Sequence, residues 1–261
     1  MERLTIRQID EKLNTIDIQD DPFVLSIQKD DRKGVQKLLN KWHSRQLLQK
    51  KVYEKHIEMT QYENRYRSQG FRFIAGIDEV GRGPLAGPVV AAAVILPKSF
   101  FLPGLDDSKK ISEQKRNKFY EEIQAKAEAI GIGVIDPEEI DRINIYEATK
   151  KAMLSAISGL NLKPDFLMVD AIKLVTPFPL EAIIKGDAKS ISIAAASIIA
   201  KVTRDRMMAE IASSCPQYGF AQNMGYGTKE HLKAIKTHGI TPHHRKSFAP
   251  VKDYMQKANR R

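Results

Sequence analysis

The sequence predicts an α/β fold with a mixed central sheet flanked by helices, plus an α-helical N-terminal extension. Three observations lead to this prediction. Apolar, β-rich segments recur between residues 71 and 184, the later ones alternate with segments of helical spacing, and residues 1–70 show no alternating strand pattern. Strands that first follow one another and then alternate with helices are typical of a mixed sheet.

Composition indicates a basic protein with a sizeable core. The chain has 261 residues, of which 42% are apolar, and its net charge is +10 from 42 basic and 32 acidic residues. Such a charge favours polyanionic partners, nucleic acid above all. Cys215 is the single cysteine, which excludes an internal disulfide and a multi-cysteine zinc site and suits a reducing compartment.

The chain shows no sign of membrane insertion. Residues 1–5 lack the apolar core of a signal peptide. The longest apolar run, residues 89–96, falls far short of the roughly 20 residues that a membrane helix needs. We therefore expect a cytoplasmic protein that does not bind membranes, and we expect it to be a monomer.

The extension, residues 1–70, is predicted to be helical and basic. Residues 5–16 have helical spacing, and a helix start is predicted at Asp21-Pro22. Residues 31–67 are predicted to form one long helix or two, with a bend or a restart near residues 43–44. Lysines recur on one side of this segment at Lys33, Lys37 and Lys41. They form either a solvated helix face or an arm that grips phosphates. Residues 68–70 mark the boundary, so residues 71–261 form the second domain.

The second domain is predicted to contain five strands, at residues 71–78, 88–96, 131–135, 166–170 and 180–184. The strand at 88–96 is apolar throughout, which is typical of a strand buried on both faces. Helices are predicted over residues 112–129, 136–158, 190–212 and 229–237.

The chain is organised around residues 73–88. This segment begins as an apolar strand, places Asp78 and Glu79 at its end, and continues into a turn rich in glycine and proline that carries Arg82. Neighbouring side chains on a strand point to opposite faces. Both carboxylates can enter one site only if the strand ends and the backbone bends there.

Two further carboxylates are placed to join this pair. Asp170 ends the strand at 166–170, and Asp187 lies just before the helix at 190–212. Carboxylates at neighbouring strand ends can converge, and close negative groups repel one another unless a cation separates them. Oxygen ligands suit Mg²⁺ or Mn²⁺, and two such ions suit in-line phosphoryl displacement. The alternative is that each acid is an ordinary cap or turn residue.

Two other patterns are less informative. The turn at residues 81–83 is not a dinucleotide fingerprint, because a strand follows it and the further glycines are wrongly spaced. The histidines near the C-terminus have irregular spacing and no cysteine nearby, which disfavours a metal site; they are His231, His238, His243 and His244.

Together, several motifs in residues 72–250 resemble ribonuclease HII, the type-2 bacterial ribonuclease H. The signature is Gly-Ile-Asp-Glu-Val-Gly-Arg-Gly-Pro-Leu-Ala-Gly-Pro-Val at residues 76–89. The other matches follow in the family's order at residues 107–110, 169–170, 185–187, 192–205, 225–229 and 245–248.

The resemblance implies a ribonuclease H-like fold and a nuclease activity. Asp78, Glu79, Asp170 and Asp187 would be the catalytic, metal-binding carboxylates, holding two ions of Mn²⁺ or Mg²⁺. The substrates would be RNA–DNA hybrids and duplex DNA that contains a single ribonucleotide. Cleavage on the 5′ side of the ribonucleotide would leave a 3′-hydroxyl and a 5′-phosphate, as ribonucleotide and primer removal require.

The resemblance also implies how the substrate would be recognised. Gly81, Arg82 and Gly83, together with Tyr226, would read the ribose 2′-hydroxyl, the group that distinguishes RNA from DNA. Basic residues would contact phosphates; the candidates are Lys109, Lys110, Lys189 and Lys229, with Lys201, Arg245 and Lys246 as further ones.

Two alternatives remain. A ribonuclease HIII-like enzyme would carry a different N-terminal domain, a different glycine turn, and glutamate in place of Asp187. The second alternative is a non-catalytic nucleic-acid-binding protein on the same fold. The four acids disfavour it, because a protein that only binds would gain nothing from clustered acids facing phosphate.

Overall fold

A computed structural model describes residues 4–18 and 20–258, so the extreme ends of the two predicted domains lie outside the described residues. The chain divides into two compact units, Met1–Ile57 and Glu58–Arg261. Throughout the described ranges, every helix is too short or too polar to traverse a bilayer.

The first unit contains α1 (Ile6–Leu13), α2 (Pro22–Ile27) and most of α3 (Lys33–Met59). Thr5 and Gln8 form a capping box at α1, and Asp21 caps α2 in front of its first-turn proline. A small apolar core joins the three helices: Ile9, Leu13, Val24, Ile27, Val35, Leu39 and Trp42. The predicted restart near residues 43–44 is wrong, because α3 runs without a break to Met59.

The helical segment restarts at Thr60, and α4 (Gln61–Ser68) belongs to the second unit. The Tyr66 ring stacks on Phe166 with centroids 3.8 Å apart, and its hydroxyl donates to Glu181. The segment placed in the extension by its sequence therefore packs on the sheet of the second unit.

The sheet has the order β3-β2-β1-β4-β5. Its strands are β1 (Ile74–Val80), β2 (Val89–Ile95), β3 (Ala129–Ile135), β4 (Phe166–Asp170) and β5 (Leu180–Ile183). β2 lies antiparallel to β1 and β3, whereas β4 lies parallel to β1 and β5. The predicted mixed sheet is confirmed, and every residue of β2 is buried, as its unbroken apolar run predicts.

Helices cover the sheet: α5 (Glu113–Lys126), α6 (Pro137–Ile143), α7 (Ile145–Ser158) and α8 (Ile191–Ser214), followed by α9 (Phe220–Asn223), α10 (Lys229–His238) and α11 (Ala249–Ala258). The helix predicted over 136–158 is two helices, divided at Asn144, which has a φ of 69° and caps α7. The sequence prediction did not include α11. α8 approaches β1 so closely that a Cβ on Gly76 would lie 2.2 Å from the Ser192 carbonyl carbon.

Candidate active site

Asp78 and Glu79 lie within β1, not at its end. The predicted strand end at Asp78 is wrong, because pairing with β2 continues through Glu79 to Val80. On the opposite edge of β1, pairing with β4 stops at Ile77 and Val169. Asp78 and Asp170 each follow that last pair, so they are neighbours where β1 and β4 separate.

Asp78 is the most buried of the four acids, with 5% of its surface exposed. One carboxylate oxygen, Oδ1, accepts a hydrogen bond of 2.7 Å from the Glu79 amide. Burial raises the pKa of Asp78 well above its usual value, and the charges of Glu79 and Asp170 raise it further. A nearby cation would favour the ionised form of this group.

Glu79 shares its carboxylate between an arginine and a buried, unpaired oxygen. Its Oε1 accepts a bond of 3.2 Å from Arg82 Nη1. Its Oε2 is buried and has no hydrogen-bond partner among the residues described. Burial raises the pKa of Glu79 although Arg82 lowers it.

Asp170 and Asp187 are joined through the turn that precedes α8. Asp170 Oδ1 accepts a bond of 2.8 Å from the Gly186 amide, and Asp187 follows in the 3₁₀ turn Gly186–Ala188. Burial is the main cause that raises the pKa of each. The structure therefore brings all four predicted acids into one electrostatic cluster.

Two neighbouring residues also act on this cluster. The charge of Asp107 raises the pKa values of Asp170 and Asp187, and that of Lys109 lowers both. Lys109 was predicted as a phosphate contact, whereas Asp107 was noted only as part of a motif. Asp107 lies in the loop between β2 and α5, and its local sequence gives no signal that it will meet acids carried by other elements.

The four acids fit a divalent cation by their chemistry. All donors are carboxylate oxygens, which suit hard cations, and the partnerless Glu79 Oε2 is a buried atom that a cation would satisfy. Within residues 4–18 and 20–258, no three acidic, histidine or cysteine side chains already form a metal cage. The side chains supply the ligands, and closing a cage would require them to reorient.

The glycine turn, residues 81–83, lies against the loop that carries Tyr226. The amides of Leu85 and Ala86 donate to the Gly225 carbonyl at 2.8 and 3.3 Å. A Cβ on Gly83 would lie 3.6 Å from Cε1 of the Tyr226 ring. The ring is 46% exposed, so a substrate can reach it.

Gly81 shows why this turn requires glycine. Its φ is +94°, and a Cβ there would lie 2.7 Å from the Pro88 carbonyl oxygen. Any L side chain would combine backbone strain with a backbone clash.

Two buried arginines bond to the backbone of these loops, and Arg204 bridges them. Arg245 is 0% exposed and donates to the carbonyls of Gly81 at 2.6 Å and Gly87 at 2.8 Å. Arg204 is 1% exposed and donates to Ala86 at 3.1 Å and Met224 at 3.0 Å. The prediction that Arg245 contacts phosphate is wrong, because its guanidinium is enclosed by backbone carbonyls.

The surroundings of both arginines lower their pKa values. Burial and the neighbouring Arg204 lower the pKa of Arg245 to about 9, and burial lowers the pKa of Arg204 to about 10. Sequence reasoning missed both roles, since an arginine in sequence is read as exposed unless its partners are known.

A buried histidine pair lies behind Tyr226. The Thr241 amide donates to His244 Nδ1 at 2.9 Å, so His244 carries its proton on Nε2. His244 Nε2 then donates to His231 Nε2 at 3.0 Å, and His231 Nδ1 donates to the Tyr226 carbonyl at 2.8 Å. Both imidazoles are neutral, and burial lowers the pKa of His244 to about 4.

The remaining predicted phosphate contacts lie on the surface. Lys109, Lys110, Lys189 and Lys229 are all exposed, and Lys110 Nζ lies 3.7 Å from Asp106 Oδ1. Lys201 pairs with Asp205 at 2.6 Å. Their phosphate contacts stay predictions.

Solved structures place this architecture among the type-2 ribonucleases H. Ribonuclease H2 from Pyrococcus horikoshii OT3 is 26% identical with a TM-score of 0.61, over 72% of this chain and 99% of that one. Bst-RNase HIII, solved in complex with Mn²⁺, shares the fold at 18% identity and a TM-score of 0.54, over 73% of this chain and 71% of that one. The predicted ribonuclease H-like fold is confirmed.

The sequence comparisons define the family. The Ribonuclease HII model matches residues 75–251, and the Ribonuclease HII N-terminal domain model matches residues 5–67. Ribonuclease HII of Bacillus thuringiensis (strain Al Hakam) is 60% identical over 98% of this chain and 100% of that protein. The chain belongs to the ribonuclease HII family, whose members are endonucleases that hydrolyse the RNA of RNA–DNA hybrids and typically use divalent metal ions.

Proposed function

We propose that the protein incises duplex DNA on the 5′ side of a single embedded ribonucleotide, in addition to cleaving RNA–DNA hybrids. The products would be a 3′-hydroxyl and a 5′-phosphate. The reaction would require two divalent ions, Mg²⁺ or Mn²⁺, held by Asp78, Glu79, Asp170 and Asp187.

The chemistry follows from the acids and their surroundings. Bound divalent ions would lower the pKa of the attacking water and stabilise the leaving oxygen. Asp78 and Asp170, adjacent where the strands separate, would bind from the sheet. Asp187 would bind from its turn, and Glu79 would use its unpaired Oε2.

The observation that carries the proposal is the direct link between the acids and the glycine turn. Arg82 donates from that turn to Glu79, and Gly83 lies beside the Tyr226 ring. The open backbone of the turn would hydrogen-bond the 2′-hydroxyl while Tyr226 packs against the sugar. This adjacency would set the distance between the ribose that is read and the bond that is cut.

The decisive experiment compares two substrates. One is a DNA duplex with one ribonucleotide, and the other is a long RNA–DNA hybrid, both with product ends mapped at nucleotide resolution. We expect incision of the first at its 5′ ribonucleotide junction, leaving a 3′-hydroxyl. Cleavage of the hybrid alone would contradict junction incision and favour an activity like that of ribonuclease HIII.

We also propose that the helical N-terminal extension, residues 1–70, contributes a substrate-binding arm. Lys33, Lys37 and Lys41 are exposed along α3, where they could contact successive phosphates. Arg45 is unsuited to this role, because it donates to Asn14 Oδ1 and the Leu13 carbonyl.

A further inference from the structure

A buried glutamate on α4 bonds to the start of the helix that follows Asp187. Glu63 is 0% exposed. Its Oε1 accepts a hydrogen bond of 2.7 Å from Ser190 Oγ and one of 2.9 Å from the Ser192 amide. Both serines are themselves 0% exposed.

These bonds complete the cap of α8. Ser190 is the N-cap residue, and its Oγ accepts from the Ile193 amide at 3.2 Å. The first amides of a helix have no partner within it. Glu63 satisfies the Ser192 amide from a helix that lies 129 positions earlier in the chain, and its carboxylate lies at the positive end of the helix dipole.

The turn that carries Asp187 is therefore fixed at both ends. At its start, the Gly186 amide donates to Asp170. At its end, the Ser190 amide donates to the Gly186 carbonyl at 2.8 Å, while the Ser190 side chain bonds to Glu63. A chain of hydrogen bonds thus runs from Glu63 through this turn to Asp170.

A cap that only stabilises α8 would not need a buried carboxylate. The second oxygen of Glu63, Oε2, is also buried and finds no hydrogen-bond partner in the part of the chain that is described. Leaving such an atom unsatisfied is costly. The geometry instead assigns Glu63 the task of holding Ser190, and with it the turn bearing Asp187.

We infer that Glu63 is a positioning residue for the carboxylates Asp170 and Asp187, acting through Ser190 and the turn Gly186–Ala188. This inference rests on the metal-binding role proposed above for those two acids. Residues that orient metal ligands typically change metal affinity by about 10–100-fold when they are replaced.

The experiment measures Mn²⁺ binding by the free, full-length protein, from the loss of the free-ion electron paramagnetic resonance signal. Glu63→Met keeps a side chain of similar length and removes the acceptor, and Glu63→Asp keeps the carboxyl group but shortens the reach. Gln61→Met, on the exposed side of α4, is the matched control. Circular dichroism and thermal unfolding verify that each variant folds.

We expect Glu63→Met to weaken Mn²⁺ binding about tenfold, to lower kcat, and to change KM for the duplex by less than about twofold, whereas Gln61→Met behaves like the parent. Glu63→Asp should show a smaller loss in the same direction, and it decides the matter if Glu63→Met does not fold. Parental Mn²⁺ affinity in the folded Glu63 variants would overturn the inference.

Asp187→Asn, measured in parallel, separates this inference from the proposed function. If it loses Mn²⁺ binding while the folded Glu63 variants do not, only the role of Glu63 is wrong. If Asp187→Asn binds Mn²⁺ like the parent, the metal role of Asp187 is wrong, and the positioning role based on it is also overturned.

Discussion

At the scale of single residues, burial separates acids that sequence alone treats alike. Asp78 is almost fully enclosed and lies beside Glu79 and Asp170, so its ionised form is disfavoured in the fold. Because its pKa is raised above the unfolded value of 3.8, its charge lowers stability at neutral pH, and this loss is relieved as the pH falls.

Asp78→Asn should abolish metal-dependent cleavage, because it removes a proposed metal ligand, and it should leave the fold intact. Without metal, at pH 7, its melting temperature should equal or exceed that of the parent, by about 2–4 °C for each 1 kcal/mol of repulsion removed. Cleavage assays and thermal unfolding in a chelator test both parts. Asp253→Asn, at an exposed acid on α11, is the control. Retained cleavage would contradict the metal assignment.

Tyr226 provides a second prediction at this scale. Tyr226→Ala should slow incision at a lone ribonucleotide by about 10–100-fold, the loss expected when an aromatic packing partner is removed. Tyr226→Phe should retain much of the activity, since the ring beside Gly83 remains. Tyr146→Ala removes a ring of almost equal exposure, 47% against 46%, and should have no effect. An unchanged rate in Tyr226→Ala would exclude it from recognition.

At the scale of elements, the glycine turn and the loop that carries Tyr226 depend on buried side chains that bond to their backbone. Arg204 bonds to carbonyls of both loops, Arg245 bonds to carbonyls of the segment that begins at the glycine turn, and the histidine pair supports the carbonyl of Tyr226. The His231–His244 bond needs one nitrogen to accept. Protonating His231 would place two donors face to face in this bond, and protonating His244 at Nδ1 would place a donor against the Thr241 amide.

The histidine pair predicts a specific acid instability. The pKa of His244 falls from 6.5 in the unfolded chain to about 4 in the fold. The stability that neutral His244 contributes is therefore present above pH 6.5 and disappears as the pH drops toward 4. The contribution of His244 to the free energy of unfolding is at most about 3 kcal/mol, because a pKa difference of one corresponds to about 1.36 kcal/mol.

Thermal unfolding between pH 7 and 4 tests this prediction. His244→Asn keeps an acceptor near the Nδ1 position and cannot titrate, so its melting temperature should fall less steeply with acid than that of the parent. His238→Asn, at an exposed histidine on α10, should leave the slope unchanged. Equal slopes for the parent and His244→Asn would show that the pair does not govern acid stability.

At the scale of the whole molecule, the boundary between the two units decides which deletion tests the extension. α4 lies within the second unit, where Glu63 and Tyr66 are buried. A deletion of residues 1–70 would therefore remove part of the second unit. Deleting residues 1–57 spares α4.

We expect the protein lacking residues 1–57 to keep its metal requirement and to bind duplex substrate more weakly, by about tenfold at low salt. Each lost phosphate contact should lower the slope of log Kd against log salt concentration by about 0.9. Changing Lys33, Lys37 and Lys41 to Glu in the full chain is the companion test. Unchanged affinity and slope in both proteins would remove the arm from substrate binding.

Much of the fold and site could be predicted from local pattern. The five strands, the helix after Asp187 and the four acids have short-range signals: apolar runs, caps and a contiguous motif. Local pattern gave the wrong end for β1, because pairing with β2 holds Glu79 and Val80 in the strand. It also missed the break at Asn144, where a left-handed residue interrupts an otherwise helical pattern.

The amino-acid sequence was sufficient for the chemistry of this protein: which side chains bear charge, which turn requires glycine, and which family they match. Its tertiary structure decided which polar groups are buried and what they hold. Glu63 bonds to Ser190 across 127 positions and Arg245 to Gly81 across 164. Partners so distant leave no periodic trace in sequence, because they meet only when the sheet and its helices are packed.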